Sequence, residues 1–286
     1  SLSEKITIEG VTDFCGYDHV RDEATITSIL LDGEHVDQLH QGQQGILVLD
    51  HSPFYAESGG QAGDIGQISS SLANFEVTDT RKQGKAFTHI GSCENGSIKV
   101  GDSITAHINE SSRQATALNH SATHLLHAAL QQVLGDHVAQ KGSLVNAQRL
   151  RFDFSHFEAV KQQQLQEIER LVNQQIRLNH DVETNIMNLE EAKQTGAMAL
   201  FGEKYEEDVR VLKMGGFSTE LCGGTHATRT GDIGVMKITS EAGIASGIRR
   251  IEAVTGERAL EYIENNELRL QTVTTLNKAK PDNVEE

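Results

Sequence analysis

Over roughly the first hundred residues, hydrophobic and polar positions alternate in short runs cut by turn signals: KITIEGV, ATITSILLDGEHV, GILVLD, IGQIS, NFEVTD, KAFTHI and SIKVGDSITAHI. A period of two is the mark of a half-buried strand. Asp32-Gly33 and Asn95-Gly96 are favoured hairpin turns, so residues 1–109 are expected to form an antiparallel, barrel-like domain. One stretch breaks the alternation. Ser52 to Gly66, SPFYAESGGQAGDIG, is rich in glycine and small polar residues, and reads as a long loop whose backbone bends or approaches something closely.

The period then lengthens. Ala115, Leu118, Ala122, Leu125, Leu126, Ala129, Leu130 and Val133 recur every three to four residues, Ser111 and Gln114 make a capping box, and Gly135 ends the run, which predicts a helix. Ser155 and Glu158 read as a second capping box, for a helix through Leu165, Ile168, Leu171, Val172 and Ile176. VETNIM, DVRVLKM, IGVMKITS and GIRRIEAVT read as strands, with a helical piece, LEEAKQTGAMALFG, between the first two. After Gly256 the pattern is helical and mostly polar, with no stop signal until Pro281. A helix with this much apolar surface packs on something, so residues 256–286 are expected to begin a longer helical region. The fold class expected is α+β: a barrel-like domain over 1–109, a mixed core of antiparallel sheet and helices over 110–255, and the start of a helical segment.

Composition narrows the function classes. With 37% hydrophobic and 23% charged residues among 286, the chain has the make-up of a globular protein. No run of ~18 apolar residues writes a membrane span, and SLSEKITIEG has neither the basic start nor the apolar segment of a secretory signal. Cys15, Cys93 and Cys222 are too few and scattered for a disulfide framework, which points to a reducing compartment, the cytoplasm. The net charge of −16 repels nucleic acid at long range. Basic residues nevertheless cluster at Arg81, Lys82 and Lys85, at Arg149 and Arg151, and at Arg249 and Arg250. Charge pattern alone reads these equally as phosphate contacts or as solvated faces.

Two short motifs carry chemistry. NHSATHLLH sets His120 and His124 four apart, one turn of a helix, and LCGGTH sets Cys222 and His226 at the same spacing. A lone buried His or Cys is usually a core residue. Two such pairs are different, because two nitrogens from one place and a sulfur and a nitrogen from another make a tetrahedral set for zinc. Gly223 and Gly224 let the second turn bend back on one ion. His127, one turn past His124, reads as a spare ligand, a supporting residue or core. A zinc-protease helix would carry His-Glu-x-x-His, but Ser121, Ala122 and Thr123 stand between these histidines. The His-x-Glu and Pro-Cys-x-x-Cys elements of base-deaminating zinc enzymes are also missing. A structural zinc site stays open, since four protein ligands close the shell.

HSATH and CGGTH, together with PFYAESGGQAGDIG, GDHVAQKGSLV, RLRFDFSHFE and SGIRRIEAVTG, resemble the editing region of bacterial-type alanyl-tRNA synthetases over nearly all of residues 11–256. The aminoacylation domain that precedes this region in the family, and its ATP binding, have no counterpart here, so the chain resembles an excised fragment. The resemblance implies an aminoacyl-tRNA deacylase that hydrolyses the ester of serine or glycine mischarged on the alanine tRNA. A synthetic site sized for alanine excludes the smaller glycine poorly and serine only modestly, so a second site must remove the errors. His120, His124, Cys222 and His226 carry over as the zinc site, Thr123 and Gln140 as positions for amino-acid selection or catalysis, and Ser58, Gly59, Gly60 and Gln61 as the glycine-rich loop. Read as bare residues, Thr123 is an ordinary helix residue and Gln140 a solvated loop residue. A Thr123 hydroxyl would pair with a serine side chain and be left unpaired by alanine. Glycine also lacks the hydroxyl, so its acceptance would rest on the space for a methyl group.

Zinc is expected to hold water or the substrate amine, lower the pKa of water towards ~7 and polarise the ester carbonyl, with no carboxylate adjoining either motif to act as base. The partners implied are the acceptor end of the alanine tRNA, contacted by Lys141, Arg249, Arg250 and the Arg81 to Lys85 turn, and the rest of the synthetase; no membrane is implied. Two alternatives stand beside this. One is a non-catalytic tRNA-binding module with structural zinc. The other is a freestanding trans-editing deacylase or the related threonyl-type domain, against which the barrel-like region and the SGGQ loop favour the alanine type.

Overall fold

Six of the seven alternating runs become strands. A computed structural model describes residues 8–197 and 208–276. In chain order it holds β1 (Asp13–Phe14), β2 (Arg21–Leu31), β3 (Glu34–His35), β4 (Gln38–His40), β5 (Gln44–Leu49), β6 (His51–Ser52), β7 (Gly66–Ser69), β8 (Asn74–Gln83), β9 (Ala86–Asn95), β10 (Ser97–Lys99) and β11 (Ser103–Ile108). Helix α1 (Glu110–Leu134) follows, then β12 (Gln140–Val145), β13 (Leu150–Ser155), α2 (Gln162–Leu178), β14 (Val182–Asn188) and α3 (Leu189–Gln194). The described chain closes with β15 (Asp208–Met214), β16 (Ser218–Leu221), a 3₁₀ turn (Thr230–Ile233), β17 (Met236–Ala245), β18 (Ile248–Thr255) and α4 (Gly256–Leu276). Two units form: residues 1–120, 143–147 and 222–225 in one, and 121–142, 148–221 and 226–286 in the other.

In the first unit the strands run β11-β7-β8-β9-β5-β2, and β2 pairs back onto β11, so six antiparallel strands close a barrel, with β3 added at β2. Closure leaves no long edge among the six. Ile26, Leu47, Leu49, Phe54, Ile68, Phe75 and Ile104 fill the core. Two bulges reset the alternation. Ala24 and Ile26 are buried with even parity, the register shifts between Ile26 and Ser28, and Ile29 then takes the core with odd parity. A second shift between Val77 and Asp79 likewise buries Thr80 after Phe75 and Val77.

Asp32 and Gly33 form the expected two-residue hairpin between β2 and β3, both with positive φ, 52° and 84°. Asn95-Gly96 is not a hairpin. Ser97–Lys99 leaves the barrel sheet to pair with Gln38–His40, and Gly96, at φ 69°, makes the exit where a Cβ would lie 2.0 Å from the Leu72 carbonyl. In KITIEGV, residues 5–7 lie outside the described residues and residues 8–11 are not strand; pairing begins at Asp13, parallel to β6.

The second unit has the sheets β12-β13-β18-β17 and β14-β15-β16. Gln140, which taken alone reads as a solvated loop residue, opens strand β12. Helix α2 buries Ile168, Val172 and Ile176. Its polar residues Glu169 and Asn173, four apart, tie it to β17: the Asn173 amide exchanges hydrogen bonds with both backbone groups of Met236, and Glu169 accepts from the Ile238 N–H. The expected caps are corrected. Asn109, whose carboxamide oxygen accepts from the Ser112 N–H, starts α1 in place of the Ser111–Gln114 box. Ser155 ends β13 and α2 starts after Lys161, whose N–H donates to Gln164. Helix α3 stops at Gln194, and residues 198–202 of its expected span, like the stop at Pro281, lie outside the described residues. No described helix is long and apolar enough to cross a membrane.

The barrel interior also holds His89. Its Nδ1 faces the Leu47 carbonyl at 3.0 Å and its Nε2 faces the Ser52 hydroxyl at 2.7 Å, which in turn accepts from the Phe54 N–H. A neutral ring donating to Leu47 and accepting from Ser52 satisfies all three groups. Burial, opposed by the Leu47 carbonyl, lowers its pKa to about 4. The unfolded chain therefore binds the extra proton, and stability contributed by the neutral ring is lost as pH falls from about 6.5 towards 4. In urea melts at pH 7.5 and 4.5, His89→Gln is expected to lose about 2 to 3 kcal/mol less than the parent over that interval. Equal losses would remove His89 from the acid sensitivity.

Candidate metal centre

Helix α1 carries an unusual load: Thr116, Asn119, His120, Ser121, Thr123, His124 and His127 are all buried. Each such group must find a partner or cost about 1–3 kcal/mol. Thr116 bonds back to the Ser112 carbonyl and Asn119 donates to the Asn146 carbonyl. The histidines are held from their Nδ1 side. His120 Nδ1 lies 2.8 Å from Gln61 Oε1, His124 Nδ1 meets Glu220 Oε2, and His226 Nδ1 lies 3.4 Å from Ser121 Oγ. An Nδ1–H donated in this way leaves the lone pair on Nε2. One donor atom each from His120, His124, Cys222 and His226 then lies within 4.8 Å of the others, a group that could hold a metal ion.

The CGGTH turn reaches its position through local contacts. Strand β16 ends at Leu221, the Gly224 N–H points at Cys222 Sγ at 3.5 Å, and Sγ lies 3.5 Å from His120 Nε2. A Cβ on Gly224 would sit 2.2 Å from His120 Cε1 and 2.8 Å from Gln61 Oε1, so only glycine fits. Gln61 itself is fully buried. Its Oε1 accepts from His120 and from the Thr225 N–H, and its Nε2 donates to Thr225 Oγ1 at 2.8 Å.

The loop that bears Gln61 is anchored by a buried ion pair. Arg113 lays its fork on Asp64 and donates also to the carbonyls of Gly16 and Pro53, while Asp64 accepts from the Tyr55 N–H. Gly60, at φ 84°, sits where a Cβ would meet the Ser143 carbonyl at 2.7 Å. Ser58 and Gly59 are exposed at the loop tip.

Glu220 serves two rings. Its Oε2 takes His124 and its Oε1 takes His127, both at Nδ1, and the carboxylate is only 2% exposed. Burial pushes its pKa up, and the attraction and hydrogen bonds of His124 and His127 outweigh that and hold it at about 2. His127 is thus a neighbour of the donor group and outside it.

Of the other residues singled out in the sequence, Thr123 is buried immediately before His124, and Gln140, half-buried, and Lys141, exposed, open β12. Arg249 and Arg250 lie on β18 with forks laid on Glu241 and Asp153. Arg81 is paired with Asp79, Arg149 with Glu252 and Arg151 with Asp153. Sequence reading passed over Glu220, Asp64, Arg113, Ser121 and Tyr17, whose hydroxyl donates to the Gly223 carbonyl. Glu220 had one available signal, an acidic residue two before Cys222.

Residues 1–112 match the family described as tRNA synthetases class II (A), and residues 209–252 match the one described as threonyl and alanyl tRNA synthetase second additional domain. An alanine–tRNA ligase from Saccharophagus degradans is 60% identical over 283 residues, covering 99% of this chain and 32% of the relative. One from Shewanella loihica is 55% identical over 276 residues, covering 96% of this chain and 32% of the relative. The chain spans about a third of the length of these relatives. By an identity of 55–60% that runs through nearly all of its residues, the chain is a homologue of alanine–tRNA ligases, consistent with a fragment of an alanyl-tRNA synthetase.

Proposed function

We propose that this chain is a proofreading hydrolase that cleaves serine and glycine from mischarged alanine tRNA at a zinc site. The observation that carries the reading is the four-donor group of His120, His124, Cys222 and His226. Three imidazoles and one thiol suit zinc among the common cellular metals. A nitrogen at about 2.05 Å and a sulfur at about 2.3 Å from one tetrahedral ion are about 3.5 Å apart, and His120 Nε2 and Cys222 Sγ stand at 3.5 Å. When bound, zinc supplies positive charge that polarises an ester carbonyl and acidifies water.

The chain's own residues supply the rest. Gln61, Glu220 and Ser121 orient the donor rings, and Gly224 leaves the room in which the His120 ring turns. The Thr123 hydroxyl, beside His124, is assigned to the serine side chain, and Gln140 to the reacting end of the substrate. Ser58, Gly59, Gly60 and exposed Lys141 face the acceptor end of the tRNA in this reading. Arg249 and Arg250 are weaker contacts, because their forks are already committed to Glu241 and Asp153. The remainder of a synthetase chain would supply aminoacylation and most of the tRNA affinity. Three cysteines outside any disulfide suit a cytoplasmic setting. In this reading the barrel-like domain spans residues 1–109, the deacylase core 110–255 and the start of a helical segment 256–286.

A second reading has one observation in its favour: four protein donors, three of them buried residues, can close a zinc shell and leave only a structural role. Deacylation separates the two. Purified protein is expected to hydrolyse seryl-tRNA of the alanine type and spare alanyl-tRNA, with activity lost on chelation and restored by zinc. Cys222→Ala is expected to keep its far-ultraviolet spectrum and lose activity; an unfolded Cys222→Ala, with no hydrolysis by the parent, would leave a binding module. Gly224→Ala is expected to cost about 1–3 kcal/mol through overpacking against His120 and to hold well under one zinc per chain. A full zinc complement in that variant, measured by atomic emission after dialysis, would show that His120 has room to spare.

A further inference from the structure

We infer that Glu220 is the counter-charge and positioning residue of the metal centre, with His127 as the brace that holds it there; the inference rests on the zinc reading above. The argument begins with charge. A divalent ion bound by one thiolate and three neutral imidazoles leaves one net positive charge in a buried place, and an isolated buried charge is costly unless paired. Glu220, 2% exposed, lies behind the donor group and meets His124 on the nitrogen that faces away from it. Its single negative charge brings the assembly to neutrality. The carboxylate also fixes the His124 tautomer, since an Nδ1–H donated to Oε2 presents the Nε2 lone pair to the ion.

His127 explains how the carboxylate keeps its place. It sits one turn beyond His124 on α1, buried against Phe152 with ring centroids 5.1 Å apart, and gives its Nδ1–H to the second oxygen of Glu220. Two rings three residues apart on one helix grip the two oxygens of one carboxylate, which leaves Glu220 no rotation that would spare His124. Among the described residues, His127 Nε2 is buried and has no hydrogen-bond partner. A polar ring accepted at that cost, where an aromatic hydrocarbon ring would pack, is accounted for by the work of its other nitrogen.

The test is zinc affinity, measured by competition with a chromophoric chelator, on the parent, Glu220→Gln and His127→Phe. Glu220→Gln keeps the shape, removes the charge and is expected to weaken zinc binding about 10- to 100-fold. His127→Phe, which keeps the charge and loses the brace, is expected to weaken it by a smaller factor. In the cobalt-substituted protein both are expected to change the visible bands that report ligand geometry. Unchanged affinity and bands in a folded Glu220→Gln would overturn the inference. Should Glu220→Gln fail to fold, the same null result in His127→Phe overturns it. Failure of the parent to bind zinc would instead sink the zinc reading itself, so the two failures are distinct.

Discussion

Seven polar side chains on a single helix are buried, and most of what is particular about this protein follows from satisfying them. Burying an unpaired hydroxyl, amide or imidazole costs roughly as much as a hydrogen bond contributes, so the neighbours of α1 are selected for what they can donate or accept. Asn146 offers a carbonyl to Asn119, Gln61 an amide oxygen to His120, Glu220 a carboxylate to His124 and His127. Each partner must in turn be held. Gln61 is pinned by Thr225, its loop by Arg113 and Asp64, and Glu220 by the two rings it serves. The same pattern of second-tier bonds decides that all three donor imidazoles are tied at Nδ1 and present Nε2.

The Arg113–Asp64 pair shows why this support is expensive and why it is kept. A buried ion pair contributes little net stability against an apolar substitute, because two charges lose their hydration. Burial raises the pKa of Asp64 even with a guanidinium and the Tyr55 N–H against it. What the pair supplies is position: one fork gathers the Gly16 carbonyl and, from the two ends of one loop, the Pro53 carbonyl and the Asp64 carboxylate. A hydrophobic contact would have no such directional demand. The loop is thereby fixed at both ends of the segment that carries Gln61.

The legible part of this architecture was the part written in periodicity. Alternation predicted the barrel strands, the three-to-four spacing predicted α1 and α2, and Asp-Gly with two positive φ values gave the first hairpin. What failed were local signals that another interaction overrides. Asn95-Gly96 has the sequence of a hairpin turn, but Ser97–Lys99 finds its partner in β4, and Ser155 looks like a helix cap while its backbone belongs to β13. Bulges at Ile26 and Val77 shift the pleat by one residue and hide the alternation beyond them. The donor group was legible because its residue types are rare and its spacing is helical. Its supports were not, since Gln61, Arg113 and Glu220 are common residues whose roles depend on partners 59, 49 and 96 positions away.

Electrostatics sets a last constraint. A net charge of −16 opposes the approach of a polyanion. Three arginines whose charge would offset it are committed to carboxylates: Arg113 to Asp64, Arg249 to Glu241, Arg250 to Asp153. Guanidinium forks spent inside the protein order its strands and loops and cannot also neutralise phosphates without breaking those pairs. Under the proposed function, a tRNA would then be captured mainly outside these residues and only its acceptor end presented here, a division that suits proofreading because correctly charged ends are released faster than if the whole molecule were bound tightly.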